Sequence, residues 1–111
     1  MTLMNPSISF SLEGRVAVVT AGTKGIGAAI TKHLASQGAK TIVTYRSDKN
    51  KAEQFAKYVQ ETYGTDCLST TLEIRDSSEV ANTFKDIHDQ FGRLDILVNN
   101  AGVTDDVLLM R

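Results

Sequence analysis

The sequence predicts an α/β fold, a doubly wound parallel sheet, and three observations predict it. Short β-branched apolar runs alternate with longer stretches whose apolar residues recur at helical spacing. The turn after the first run is rich in glycine. The chain of 111 residues, 41% hydrophobic and 23% charged, has the length and composition of one ordinary domain.

Residues 15–20 (RVAVVT) read as a buried first strand that runs into the glycine-rich turn. Ile26, Ala29, Ile30, His33 and Leu34 then mark one face of a first helix, stopped at Gly38. Residues 41–44 (TIVT) predict the second strand. Ala52, Phe55, Ala56, Val59 and Tyr63 mark a second amphipathic helix that stops near Gly64. Residues 68–72 predict a weaker third strand. Asp76 is placed to cap a third helix, with Glu79 at the reciprocal capping-box position and Val80, Phe84, Ile87 and Phe91 as its core stripe. Gly92 ends that helix, residues 95–98 (DILV) predict the fourth strand, and residues 105–111 read as the start of another helix. Residues 1–11 are read as a leader and 12–111 as the domain.

This alternation predicts parallel βαβ units with right-handed crossovers, and helices on both faces explain the near-continuous apolar strands. The expected strand order is 3-2-1-4, which makes the gap between strands 1 and 4 the switch point where a ligand binds. Two loops should meet there, residues 21–27 after strand 1 and 99–102 after strand 4.

Composition excludes several classes. A net charge of −1 argues against nucleic-acid and membrane partners. The lone Cys67 allows no internal disulfide, and with two scattered histidines it offers no zinc spacing, so no metal site is expected. No apolar run reaches the roughly 18–20 residues of a membrane span. The leader lacks the basic and apolar regions of a secretory signal, so a reduced, cytoplasmic setting is expected.

The turn reads Thr20-Ala21-Gly22-Thr23-Lys24-Gly25-Ile26-Gly27. Gly22 is expected to supply an unusual backbone conformation, Gly25 room for a phosphate against the main chain, and Gly27 close packing of helix on strand. The helix starts here, so its free N–H groups and positive dipole end face the crevice and form an anion cradle. A tight turn of small residues is the plainer alternative. After strand 2 come Tyr45-Arg46-Ser47, with no acid at the tip to hold a ribose 2′-hydroxyl. Arg46 and Lys24 are placed to meet a 2′-phosphate instead, which points to NADP over NAD. The alternatives are that Arg46 is only a solvated charge, or that Asp48 turns the preference toward NAD. Asn99-Asn100-Ala101-Gly102 combines two amides with a low surface suited to a ribose, and alone it is also an ordinary turn.

Together these features resemble the short-chain dehydrogenase/reductase family, whose sheet is Rossmann-like. The family pattern Thr-Gly-x-x-x-Gly-x-Gly is met by Thr20-Ala21-x-x-x-Gly25-Ile26-Gly27, with Ala21 at the first glycine and Gly22 expected to absorb part of the lost freedom. Asn99-Asn100-Ala101-Gly102 matches the second signature unchanged. Residues 100–111 are most similar to the family's reductases of 3-oxoacyl thioesters, which implies a place in fatty acid biosynthesis.

The resemblance implies a cofactor site. Ala21, Gly22, Thr23, Lys24, Gly25, Ile26 and Gly27 would line the diphosphate and adenosine ribose. Lys24 and Arg46, with Tyr45 beside them, would meet the 2′-phosphate. Glu73 and Ile74 would lie beside the adenine, and Asn100, Ala101 and Gly102 beside the ribose near the nicotinamide.

The family reduces ketones by hydride transfer, with a serine, a tyrosine and a lysine from segments downstream of residue 111. No catalytic residue is therefore assigned here. The chain reads as the N-terminal part of an enzyme, expected to be inactive alone and to join a small-molecule or acyl-carrier-bound substrate in a full-length homo-oligomer. Tyr45 and Lys49 have the Tyr-x-x-x-Lys spacing but lie on the adenosine side of the crevice, out of reach of a reacting carbonyl. His33 and His88 read as half-buried packing residues, and Cys67 as an ordinary thiol. The apolar edge at 96–98 is expected to make the isolated chain marginal or dependent on a partner. Two alternatives stay open: a non-catalytic nucleotide-binding or assembly module, and a short-chain reductase for another carbonyl or alcohol.

Overall fold

A computed structural model describes residues 11–100. Four parallel strands form one sheet: β1 (Val16–Val19), β2 (Lys40–Tyr45), β3 (Cys67–Thr71) and β4 (Ile96–Val98). Their order is β3-β2-β1-β4, the doubly wound arrangement the sequence predicts. Three helices link them: α1 (Gly25–Ser36), α2 (Lys49–Tyr63) and α3 (Ser77–Phe91). The start of a further helix expected at 105–111 lies outside the described residues.

Neighbouring positions on a strand point to opposite faces, and Ile42 and Val43 divide the core accordingly. Val43 packs with Ala35, Ala56, Val59 and Cys67 beneath α1 and α2. Ile42 packs with Val16, Val18 and Ile87 beneath α3, flanked by Phe84, Phe91 and Leu97. The stripes predicted for α2 and α3 are the ones these helices bury or half-bury.

α1 differs from expectation. It buries Gly27, Ala28, Thr31 and Ala35, whereas Ala29 and His33 are exposed and Ile30 and Leu34 only half-buried. Small side chains let this helix lie close on the sheet, and its bulkier residues are pushed to the flanks. His88 is exposed as well, so neither histidine is a packing residue. Cys67 does not precede β3 but opens it, buried, and burial pushes its thiol pKa up.

The caps show why the second and third helices begin where they do. Asp48 accepts a hydrogen bond from Lys51 N at 3.1 Å, and Asp76 accepts one from Glu79 N at 3.1 Å. Glu79 does not close the predicted box on Asp76. Its Oε2 accepts from Glu73 N at 3.0 Å, while Asp76 N donates to Glu73 O. The glutamate thus braces the loop that follows β3. Among the described residues no helix is long and apolar enough to cross a membrane, and no group of three or more His, Cys, Asp or Glu is placed to hold a metal.

Candidate functional site

The loops after β1 and β4 meet at the C-terminal edge of the sheet. Thr20 N donates to Val98 O at 3.0 Å and carries the β1–β4 ladder one residue past the strand. Thr20 Oγ1 accepts from Asn100 N at 2.8 Å. The Asn100 side chain then donates to Ala21 O at 3.2 Å. Asn100 therefore ties the two loops together, whereas Ala101 and Gly102 lie outside the described residues. On the other side the β1 loop leans on β2: Ala21 N donates to Thr44 Oγ1 at 3.1 Å and Gly22 N to Thr44 O at 3.3 Å.

The backbone of this loop divides its work differently from expectation. Ala21, not Gly22, takes the left-handed conformation, with φ of 54°. Gly22 absorbs none of that strain and is needed for space, since a Cβ there would meet Val43 Cγ1 at 2.8 Å and Val19 O at 2.9 Å. Gly27 is needed for space too, against the loops more than the strand. A Cβ on it would collide with Ala21 O and come within 2.5 Å of Asn100 Nδ2. Buried Thr31 completes the knot by donating to Gly27 O at 2.8 Å and Gly22 O at 3.4 Å.

α1 consequently starts at the mouth of the crevice. Its N-cap residue, Lys24, is extended and makes no side-chain capping bond, so no side chain of the cap covers the first-turn N–H groups. Gly25 has nothing within 4 Å of where its Cβ would stand, which leaves open space over that turn. Ile26 projects beside it with 73% of its surface exposed.

Beside this turn lies a cleft of about 550 Å³ over the ends of β2 and β3. Ala21, Thr23 and Lys24 line it from the β1 loop and Tyr45 and Arg46 from the end of β2. Glu73 and Ile74 line it from the loop after β3. Gly22, Gly25, Ile26, Gly27 and Asn100 do not line this cleft; they build the adjoining turn. Asp48 also faces the cleft, but its carboxylate is engaged at the N-terminus of α2. Lys49, half of the Tyr-x-x-x-Lys pair, points elsewhere, toward Glu53 at 4.0 Å.

Sequence reasoning passed over two cations of the cleft, Lys51 and Arg75. It also passed over a charge triad: Glu73 lies 3.3 Å from Arg46 and 3.2 Å from Arg75. The Arg75 backbone N–H and guanidinium hold the Glu73 carboxyl below the usual range, aided by the charge of Arg46. Four basic side chains (Lys24, Arg46, Lys51 and Arg75) thus face two acids, and the cleft is positive. Uncapped N–H groups, an open glycine and surplus positive charge together suit a ligand with more than one phosphate.

Comparison with known proteins agrees with this fold. A family model described as short chain dehydrogenase matches residues 15–110. The chain is 40% identical over 101 residues to a 3-oxoacyl-[acyl-carrier-protein] reductase of Salmonella typhimurium, an alignment covering 91% of this chain and 39% of that protein. The reductase of the same name from Staphylococcus aureus is 41% identical over 95 residues, 86% of this chain and 38% of the other. Among solved structures, L-sorbose reductase from Gluconobacter frateurii, complexed with NADPH and L-sorbose, superposes with a TM-score of 0.78 at 31% identity, covering 85% of this chain and 35% of that one. A metagenomic short-chain oxidoreductase in complex with NADP gives a TM-score of 0.78 at 38% identity, covering 83% and 41%. The chain spans about two fifths of the length of the curated relatives it matches.

Proposed function

The chain belongs to the short-chain dehydrogenase family, and from that premise we propose that it is the NADPH-binding part of an oxidoreductase that reduces a ketone, a 3-oxoacyl thioester, to the hydroxy compound. One observation carries the cofactor reading: Lys24 and Arg46 flank the same cleft, next to the uncapped start of α1. Relatives solved with NADPH and NADP support it. Identity of about 40% to 3-oxoacyl-[acyl-carrier-protein] reductases supports the substrate class.

The residues present fit the dinucleotide. The first-turn N–H groups of α1 take the diphosphate, and Gly25 lets it approach the main chain. Arg46 and Lys24 take the 2′-phosphate through charge-assisted bonds, and Tyr45 borders that pocket. Ile74 offers an apolar wall to the adenine, with Glu73 at its rim. Exposed Ile26 and Asn100 border the nicotinamide end, to which the sequence motif also assigns Ala101 and Gly102. The bound nicotinamide supplies the hydride. This chain binds and orients the cofactor, while the groups that protonate the carbonyl come from the remainder of the enzyme. The same reading takes the enzyme to be a cytoplasmic homo-oligomer, which sedimentation of the full-length protein tests.

Titration of the full-length protein with NADPH and NADH tests the cofactor assignment. Arg46→Ala and Lys24→Ala are each expected to weaken NADPH about tenfold and to leave NADH nearly unchanged. Equal losses for both cofactors overturn the 2′-phosphate reading. Turnover of an acetoacetyl thioester against a ketose tests the substrate, and faster reduction of the ketose overturns the thioester.

A further inference from the structure

We propose that Arg75 is a third specificity-determining cation of the cleft, beside Lys24 and Arg46, held toward the ligand's 2′-phosphate by Glu73. The proposal rests on the assignment of a 2′-phosphorylated dinucleotide to this cleft. Glu73 Oε1 lies 3.3 Å from Arg46 Nε, and its Oε2 lies 3.2 Å from Arg75 Nε. Two guanidinium groups thus sit on the two edges of one carboxylate, the spacing at which a single anion can be shared between them. The Arg75 backbone N–H also donates to Oε2 at 3.1 Å, which anchors the arginine to the same carboxylate. The Arg75 side chain is 64% exposed, lines the cleft and meets Glu73 through Nε, which leaves its terminal nitrogens with no hydrogen bond among the described residues and accessible from solvent.

Charge favours an exchange of anions at this point. The cleft holds four cations against two carboxylates, and the Asp48 carboxylate is already bound at the α2 cap. A phosphomonoester carries about −1.5 to −2 near neutral pH, which matches the surplus. A phosphate has three free oxygens where a carboxylate has two, so it can hold both guanidiniums and displace Glu73 from Arg46. The backbone at Glu73 is meanwhile pinned by the bond from its N–H to Glu79 Oε2 at 3.0 Å. Its side chain can therefore move aside without moving the loop. Glu73 is accordingly a positioning residue for the two arginines and a competitor for the phosphate.

A double-mutant cycle on the full-length protein tests this, with NADPH and NADH as probes and thermal melts to verify folding. Arg75→Ala is expected to weaken NADPH about tenfold and NADH less than about twofold. Glu73→Gln, which removes the competitor, is expected to tighten NADPH a few-fold. In the Glu73→Gln background, Arg75→Ala should still cost NADPH several-fold, and Arg75→Lys should recover part of the loss. Equal effects on both cofactors overturn the proposal. So does a penalty that vanishes once Glu73 is neutral, because Arg75 would then only neutralise Glu73. Arg46→Ala, run alongside, separates the two assignments. If it too fails to change the preference for NADPH, the 2′-phosphate reading falls and takes this proposal with it. If Arg46→Ala abolishes the preference and Arg75→Ala does not, only the role of Arg75 falls.

Discussion

At each end of the sheet one carboxylate lies between two arginines. At the N-terminal end Asp95 grips Arg93 with both oxygens, at 2.8 and 2.9 Å, and accepts the β1 N–H of Val16 at 2.9 Å. Arg15 lies 3.6 Å away, and the Asp95 side chain is only 17% exposed. At the C-terminal end Glu73 meets Arg46 and Arg75 at 3.3 and 3.2 Å and is 34% exposed. The first carboxylate is also fixed to the ladder and tightly paired. The second is held by looser contacts at the wall of a cleft. The same three charges fasten strands at one end and offer cations to a ligand at the other. Each carboxylate makes three close contacts, and what separates the two is how short they are, whether one of them reaches a strand, and whether space is left beside the carboxylate.

That space depends on glycine, and filling it is the strongest way to break the contrast. In Gly27→Ala the new Cβ would run into Ala21 O and Asn100 Nδ2, neither of which can yield without opening the knot between the loops. The cost is expected to be about 1–3 kcal/mol, seen as a fall in the midpoint of denaturant unfolding, together with weaker binding of both NADPH and NADH. A wild-type midpoint in Gly27→Ala would show that the loops are not locked as described.

The large-scale plan is written along the chain. Apolar strands, helical stripes and the glycine turn are local signals, so the order β3-β2-β1-β4 and the meeting of the two loops were legible. Two other kinds of fact were not. α1 rests on Gly27, Ala28, Thr31 and Ala35, a face chosen by closeness of approach, whereas a hydrophobic pattern selects Ile26 and Ile30. The Arg46–Glu73–Arg75 triad joins loops after different strands, and Glu79 reaches back to Glu73 instead of its own cap. Such contacts depend on side-chain reach across space, which spacing along the chain does not encode.

Acid titration sharpens the contrast with a smaller effect. Bonds from Arg93 and from Val16 N lower the Asp95 pKa from 3.8 to about 2. Because the folded value is the lower one, the contribution of Asp95 to stability is complete above the unfolded value of 3.8 and is lost as pH falls toward about 2. Glu73 is lowered as well, through Arg75 first, but its more exposed contacts are screened by solvent. Asp95→Asn should therefore flatten the dependence of unfolding stability on pH between about 4 and 2 more than Glu73→Gln does. Equal flattening, measured by denaturant titration across that range, would erase the distinction between a fastening carboxylate and a loosely held one.

The smallest effect concerns the one strained residue in the loop at the open end. Ala21 holds φ of 54°, a conformation that costs an L residue with a Cβ roughly 1–2 kcal/mol. Glycine removes that cost but adds backbone entropy to the unfolded chain, which returns about 0.5–1 kcal/mol. Ala21→Gly should therefore stabilise the protein by about 0–1.5 kcal/mol. The Ala21 carbonyl accepts from Asn100 and its N–H donates to Thr44, and neither bond uses the side chain, so both survive the change. The ratio of NADPH to NADH affinity should stay as it is, since Lys24, Arg46 and Arg75 are untouched. A stabilised variant with an unchanged ratio fits a strain confined to the turn. A loss of stability would mean that the Ala21 Cβ makes packing contacts worth more than the strain it imposes.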